Sequence, residues 1–281
     1  MSLVYLNREL LPLDQAQISV LDRGFLFGDG VYEVIPVYNG RLFRLQQHLD
    51  RLERSLAGIR VRSPHSHDEW KNIIESVVEQ QHVPDQSVYV QVTRGVAKRR
   101  DHAFDDSLTP TVFVMTNALA VVDRNDIALG VSAVTRDDIR WDRCNIKAIT
   151  LLANVLMKQE ASDEGAAEAI LIRDGLAVEG SASNLFAVIN GTITTPPTGS
   201  NLLPGITRDL VLELAQLHGL AHAEQDIPRA QLEQADELWL TSSTREILPI
   251  IELDGHPVSD GKAGPVWGTM IDLYQAYKRT L

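Results

Sequence analysis

The chain has 281 residues, of which 44% are hydrophobic and 23% charged, which is ordinary for a globular protein of one large or two modest domains. Its formal net charge of −12 disfavours binding to nucleic acid or to an anionic membrane surface, since both present like charge. With one cysteine, no apolar run long enough to span a membrane and no secretion signal in MSLVYLNREL, we expect a cytoplasmic protein without an internal disulfide.

The first third of the chain predicts β-strands and two helices. Asn39-Gly40, between Val31–Val37 and Arg41–Arg44, is the strongest two-residue hairpin signal. From Leu45 to Ile59 the apolar residues recur at helical spacing, which predicts an amphipathic helix packed on a sheet. The other predicted elements are strands at Leu3–Leu6, Glu9–Leu13, Ser87–Arg94 and Thr111–Thr116, and a helix at about His67–Gln80.

The pattern loosens near Asn117–Asp126, which predicts a link between two domains. We place a small α+β domain at residues 1–119 and a larger α/β domain, carrying Lys147, at residues 120–281. The second half predicts strands at Val131–Arg136, Glu168–Arg173, Leu185–Ile189, Thr192–Thr194 and Glu237–Thr241, and helices at Ala148–Ala161, Thr207–His218 and from Pro265. The sum is an α+β chain whose interdomain cleft is the natural place for a ligand.

Lys147 stands out because it lies in an otherwise apolar or helix-starting segment, IRWDRCNIKAITLLA at residues 139–153. Burial of an amine lowers its pKa toward neutrality and leaves a nucleophilic free base. A lysine in that state is suited to forming a Schiff base with a carbonyl compound.

Three other segments contain candidate functional residues. Glu179, in VEGSASNLF, lies where a strand enters a loop of small residues. The stretch LLPGITRD at residues 202–209 predicts a Pro-Gly loop that opens a helix, whose first amides can bind a phosphate. The glycine-rich DRGFLFGDGVYE at residues 22–33 precedes the helix that carries Arg51, whose guanidinium fork is suited to phosphate.

Together these segments resemble the fold-type IV pyridoxal 5′-phosphate enzymes nearly from end to end. Within that family, GDGVYEV, the QVTRG run with its following Arg-x-His, and RCNIKAITLL most resemble the D-amino acid aminotransferase branch. The resemblance implies a two-domain α+β enzyme with the cofactor at the domain interface.

The resemblance also implies roles for individual residues. Lys147 forms the Schiff base with the cofactor and then moves a proton between substrate and cofactor, and Glu179 faces the pyridine nitrogen. Leu203 packs against the cofactor ring. The residues implied for the phosphate are Arg51, Ile206, Thr207, Ser242 and Ser243.

For the substrate, the resemblance implies a trap for the α-carboxylate formed by Tyr32, Arg100 and His102. The loop after Gly95 is one residue longer than the family pattern, and Arg99 stands beside Arg100, so either arginine could be the ligand. In this family the neighbouring subunit contributes the loop, which implies a homodimer.

The leading hypothesis is therefore a transaminase that moves an amino group between a D-amino acid, such as D-alanine, and 2-oxoglutarate. The alternatives are an aminodeoxychorismate lyase, an R-selective amine transaminase or a branched-chain aminotransferase of the same fold. No metal site is expected, because His65 and His67 have no further ligand at useful spacing.

Overall fold

A computed structural model describes residues 3–120 and 123–281. The chain forms two compact units, one of Met1–Val121 with Ile146–Leu151 and one of Val122–Asn145 with Leu152–Leu281. The predicted boundary lies at residues 119 and 120, close to the point where the first unit gives way to the second.

The segment that carries Lys147 belongs to the first unit, whereas the sequence placed it in the C-terminal domain. The backbone explains the difference, because Ala148 forms a bridge with Val31 and Ile149 donates a hydrogen bond to the Gly30 carbonyl, 3.1 Å away. The segment is therefore non-helical, with a single β-bridge at Ala148, and the predicted helix begins only at Leu152.

The N-terminal unit is built on an antiparallel sheet of six strands in the order β2-β1-β6-β5-β3-β4 within the described residues. Its strands are β1 (Leu3–Leu6), β2 (Glu9–Pro12), β3 (Gly30–Tyr38), β4 (Arg41–Leu42), β5 (Gln86–Thr93) and β6 (Thr111–Ala118). Its helices are a 3₁₀ turn (Leu13–Gln15), α1 (Arg23–Phe27), α2 (Leu45–Gly58) and α3 (His67–Val78).

One face of this sheet forms the core of the unit. Leu49, Leu52 and Leu56 of α2 are buried against β-branched residues of the sheet, as the leucine spacing predicts. The same helix buries His48, Arg51 and Ser55, so its polar stripe is also directed inward. The hairpin at Asn39-Gly40 is confirmed by the pairing of Tyr38 with Arg41.

The C-terminal unit contains a mixed sheet of ten strands within the described residues. The strands are β7 (Val131–Asp137), β8 (Glu168–Arg173), β9 (Leu176–Gly180), β10 (Asn184–Ile189), β11 (Thr192–Thr195), β12 (His222–Glu224), β13 (Ile227–Pro228), β14 (Glu237–Ser242), β15 (Glu246–Leu253) and β16 (His256–Pro257). The helices are α4 (Arg124–Ala128), α5 (Leu152–Asp163), α6 (Ile206–Leu217), α7 (Arg229–Leu232) and α8 (Pro265–Lys278).

The sheet order in this unit is β12-β11-β10-β14-β15-β7-β8-β9-β13, with β16 paired to β15. The pairs β11–β12, β15–β7 and β7–β8 are parallel. Three short helices were not predicted: α1 lies inside the glycine-rich segment, α4 lies inside the predicted link, and α7 precedes the predicted strand at Glu237–Thr241. The strand β9 ends at Gly180, which places Glu179 at a strand end as the sequence predicts.

Candidate active site

Lys147 is held in the N-terminal unit by contacts with Ser55 and Tyr32. The Lys147 amide donates to Ser55 Oγ at 3.2 Å, and its carbonyl accepts from the Tyr32 amide at 2.9 Å. Its Nζ lies 4.2 Å from the centroid of the Tyr32 ring, a distance at which an aromatic face attracts a cation. The side chain is half-buried rather than buried as the sequence predicts. The structure thus brings Lys147 and Tyr32 together.

The Tyr32 ring is itself held by a second tyrosine. Tyr89, on the neighbouring strand β5, stacks on it with ring centroids 5.7 Å apart. The Tyr89 hydroxyl donates to Gln91 Oε1 at 2.7 Å, and burial raises the pKa of that hydroxyl to about 12. Tyr89 is therefore uncharged at neutral pH and holds the Tyr32 ring beneath the Lys147 amine.

Arg51 forms a buried ion pair that the sequence reasoning missed. Its Nε and Nη2 donate to Glu33 Oε1 and Oε2 at 2.7 and 2.8 Å, and His48 Nδ1 lies 2.8 Å from Oε2. Burial alone would raise the pKa of Glu33, but Arg51 and His48 hold it well below its usual range. Burial lowers the pKa of His48. The sequence pattern that could have revealed this pair is the alternation along β3, because Glu33 lies on the same buried face of the strand as Val31 and Ile35.

Glu179 is the central carboxylate of the C-terminal unit and is 4% exposed. Its Oε1 accepts from Arg140 Nη1, its Oε2 accepts from Asn184 Nδ2 at 3.0 Å, and the Leu203 amide lies 3.3 and 3.2 Å from the two oxygens. Burial raises the pKa of Glu179 to about 7, although Arg140 and the Leu203 amide oppose the change. The carboxyl group is therefore poised between its charged and neutral forms near neutral pH.

Arg140 connects Glu179 to further charges and was not singled out from the sequence. It donates to Asp138 through Nε and Nη2 at 2.8 and 2.9 Å, and Arg173 pairs with the same carboxylate at 3.0 Å. Burial would lower the pKa of Arg140, but Asp138 and Glu179 raise it. The available signal was an Asp-x-Arg pattern directly after the end of β7.

The loop that precedes α6 is shaped by Asn184. Besides its contact with Glu179, Asn184 Nδ2 donates to the Leu203 carbonyl at 2.8 Å. A Cβ at Gly205 would lie 1.9 Å from Asn184 Oδ1, so any larger residue would displace the Asn184 side chain. The single amide thus fixes both the carboxylate and the loop that leads into the helix.

The first turn of α6 has the features of an anion site. Gly205 is its N-cap residue, and no side chain caps the first-turn amides. Ile206 and Thr207 begin the helix and are buried, so a hydroxyl stands beside free helix-end donors at the positive end of the dipole. The helix start after the Pro-Gly loop is as the sequence predicts, and the binding of a phosphate there stays a prediction.

Ser242 and Ser243 lie at the end of β14 and in the turn that follows, and both are half-buried. Ser242 Oγ accepts from the Arg245 amide at 3.3 Å, and Arg245 Nη2 donates to the fully buried Glu168 at 2.7 Å. Glu168 also accepts from Ser183 Oγ at 3.0 Å, in the loop after Glu179. One carboxylate therefore anchors both the serine turn and that loop.

Arg100 and His102 lie together in the N-terminal unit, beside one aromatic residue. The Arg100 guanidinium carbon lies 5.0 Å from the Phe27 ring centroid, and the His102 ring centroid lies 5.4 Å from it. Within the described residues, neither side chain contacts Tyr32 of the same chain.

The chain belongs to the amino-transferase class IV family, whose model matches residues 30–253. A D-alanine aminotransferase of Bacillus licheniformis is 41% identical over 263 residues, covering 94% of this chain and 92% of the relative. A D-alanine aminotransferase of Staphylococcus aureus (strain COL) is 37% identical over 280 residues, covering 99% of this chain and 98% of the relative. The protein is therefore an aminotransferase.

Solved structures of the same fold include two branched-chain enzymes. The Escherichia coli branched-chain amino acid aminotransferase superposes with a TM-score of 0.89 at 26% identity, covering 98% of this chain and 94% of that one. The T.th. branched-chain enzyme with pyridoxamine 5′-phosphate gives a TM-score of 0.88 at 27% identity, covering 98% and 93%. The fold-type IV architecture is thus confirmed.

Among the described helices, none is long and apolar enough to cross a membrane.

Proposed function

We propose that this protein is an aminotransferase that moves the amino group of a D-amino acid, such as D-alanine, to 2-oxoglutarate. The proposal is carried by the Lys147 amine on the Tyr32 face, in a chain that matches D-alanine aminotransferases over nearly its whole length. The alternative of a branched-chain substrate is supported by the solved structures, which are less similar in sequence at 26% and 27% identity.

The cofactor of the reaction is pyridoxal 5′-phosphate, and the polar groups described above fit it. The uncapped start of α6, with Gly205 and the Thr207 hydroxyl, offers what a phosphate requires. Glu179 already accepts three donors, and a carboxylate has about four acceptor sites, so one further N–H can be accepted. Lys147 supplies the amine that would hold the cofactor carbonyl carbon.

The phosphate would be held by Ile206 and Thr207, with Ser242 and Ser243 at the neighbouring turn. Arg51 is also proposed to bind the phosphate, and its pairing with Glu33 fixes the plane of its guanidinium. Leu203 would pack on the ring. The cofactor supplies an electrophilic carbon and a ring that accepts electron density from the substrate.

The remaining chemistry belongs to the side chains. As a general base, Lys147 Nζ would take the proton from the substrate Cα, and as a general acid it would deliver that proton to the former carbonyl carbon of the cofactor. Glu179, in its charged form, would keep the proton on the ring nitrogen, and Arg140 stabilises that charged form from behind. Tyr32, Arg100 and His102 would bind the substrate α-carboxylate and thereby select which enantiomer directs its Cα hydrogen at Lys147.

We also propose that the protein is a homodimer whose loops complete the neighbouring sites. Each unit leaves apolar side chains exposed that a subunit interface would bury, among them Val20 and Phe25 in the first unit and Leu152 and Val155 in the second. Mixing Lys147→Ala with Arg100→Ala protein tests this. Subunit exchange should restore roughly a quarter of wild-type activity, because half of the dimers would contain one intact site of two. No recovery after demonstrated exchange would contradict it.

A screen of paired enantiomers tests the proposed function. Purified enzyme with 2-oxoglutarate should form pyruvate from D-alanine and little or none from L-alanine. Preference for L-leucine or L-valine would favour the branched-chain alternative, and preference for amines without a carboxylate would favour the R-amine alternative. Pyruvate release from aminodeoxychorismate without an amino acceptor would favour the lyase.

A further inference from the structure

Arg23, in the glycine-rich segment, has no role in the chemistry above but is 4% exposed. Its Nε donates to Asp29 Oδ2 at 2.8 Å. Its Nη1 donates to the Asp101 carbonyl at 2.6 Å and more weakly to the Ala103 carbonyl at 3.4 Å, and its Nη2 donates to the His102 carbonyl at 3.1 Å. One guanidinium thus binds three successive carbonyls of the substrate loop.

Phe27, one turn further along α1, orders the side chains of that loop. Its ring lies 5.0 Å from the Arg100 guanidinium and 5.4 Å from the His102 ring. Arg99, in contrast, has an 82% exposed side chain and pairs with Asp101 at 3.2 Å. The aromatic contact therefore selects Arg100 rather than Arg99 as the partner of His102.

Asp29, the carboxylate that pairs with Arg23, is itself held in place. Asp29 also accepts from Arg94 Nε and Nη2 at 2.8 and 2.9 Å, so both of its oxygens are engaged. The guanidinium carbon of Arg94 lies 3.6 Å from the centroid of Phe104, at the far end of the loop. The loop is therefore held at its middle by Arg23 and at its end by Arg94.

We propose that Arg23 and Phe27 are positioning residues that set the affinity and selectivity for the substrate carboxylate. Arg23 fixes the backbone of Asp101–Ala103, and Phe27 holds the Arg100 and His102 side chains at a constant separation. This inference rests on the proposed function of the loop. A planar guanidinium can donate to several carbonyls at once, whereas an ammonium cannot reproduce that fork.

The test compares Arg23→Lys, Phe27→Leu and Phe27→Tyr with wild type. Arg124→Lys is the matched control, because Arg124 also forms a two-point pair, with Asp272, but on the surface of the other unit. Arg23→Lys and Phe27→Leu should raise KM for D-alanine about 10-fold or more with a smaller change in kcat. Phe27→Tyr, which keeps the ring, and Arg124→Lys should retain the wild-type KM.

D-Alaninol, which replaces the carboxylate of D-alanine with an alcohol, separates positioning from a general structural loss. Its rate of amino transfer in a single turnover should be unchanged in Arg23→Lys and Phe27→Leu. Equal losses for D-alanine and D-alaninol, or an unchanged KM for D-alanine, would overturn the proposal. If Arg23→Lys fails to fold, the comparison of Phe27→Leu with Phe27→Tyr gives the same decision.

Limited trypsin digestion provides a measurement that does not depend on activity. The loop contains three cleavage sites, at Lys98, Arg99 and Arg100, and Arg23→Lys should increase cleavage there several-fold at unchanged global stability. Unchanged cleavage would refute the anchoring by Arg23. If wild type shows no preference for D-alanine, the proposed function fails, and the digestion result still decides whether Arg23 holds the loop.

Discussion

Replacing Glu179 with glutamine should remove a pH dependence from the stability of the cofactor-free protein and should impair the enzyme. The folded protein retains the Glu179 proton up to about pH 7, whereas the unfolded chain releases it near the ordinary value of 4.5. The unfolded chain therefore binds fewer protons between these values, and stability falls as the pH rises through this window. Moving the pKa from 4.5 to about 7 corresponds to roughly 3 kcal/mol.

Glutamine resembles the neutral carboxyl group and does not titrate. As the pH rises from 5 to 8, the free energy of unfolding of Glu179→Gln should gain up to about 3 kcal/mol relative to wild type. The starting value is lowered, because the amide nitrogen meets donors that the carboxylate accepted. Arg140 retains its pairing with Asp138, so its charge stays compensated in the variant. Urea unfolding of cofactor-free protein at several pH values measures the difference, and the exposed Glu252→Gln is the control.

Turnover of the same variant should fall roughly 10²-fold with cofactor still bound, because a neutral amide cannot stabilise the charged ring nitrogen. Two results would refute the reasoning. One is a stability difference between Glu179→Gln and wild type that does not change with pH. The other is normal turnover at normal cofactor content.

Three further predictions concern the phosphate site, the buried arginine and the fold. Thr207→Val should weaken cofactor binding by about 1 kcal/mol in a titration of cofactor-free protein, and unchanged affinity would exclude the hydroxyl from the site. Arg51→Ala should lower the cofactor affinity, and in urea unfolding it should lower the free energy of unfolding by about 3 kcal/mol or more, because Glu33 stays buried without the Arg51 guanidinium. Wild-type stability of Arg51→Ala would contradict the buried pair. Glu237→Ala should lower the free energy of unfolding by about 2 kcal/mol, since the Glu237 carboxylate accepts from the Val266 and Trp267 amides at the start of α8. A loss of stability smaller than that of the control Thr269→Ala would argue against this cap.

The sequence predicted most elements of the fold because their signals are local. The leucine spacing of α2, the Asn39-Gly40 turn and the Pro-Gly entry into α6 each act within a few residues. The non-helical conformation of residues 148–151 was missed, because it comes from contact with β3, more than a hundred positions away. Local helix propensity predicted a helix there, and tertiary pairing prevailed.

The candidate site divides in the same way. Lys147, Glu179 and Thr207 were found because their segments resemble family motifs. The ionic partners of Glu179 and Arg51 were not predicted, since Arg140 reaches Glu179 across 39 positions and Glu33 reaches Arg51 across 18. Such partners are determined by how strands and helices pack, and a sequence pattern read along the chain does not contain them.

Reductive trapping of the cofactor on its lysine tests the account most directly. Borohydride treatment of the loaded enzyme followed by trypsin should place the pyridoxyl phosphate mass on the peptide Cys144–Lys158, uncut at Lys147. Prior treatment with D-alanine, in the absence of a 2-oxo acid, should remove this label, whereas L-alanine should leave it. A label on another lysine, or loss of the label with L-alanine but not with D-alanine, would contradict the account.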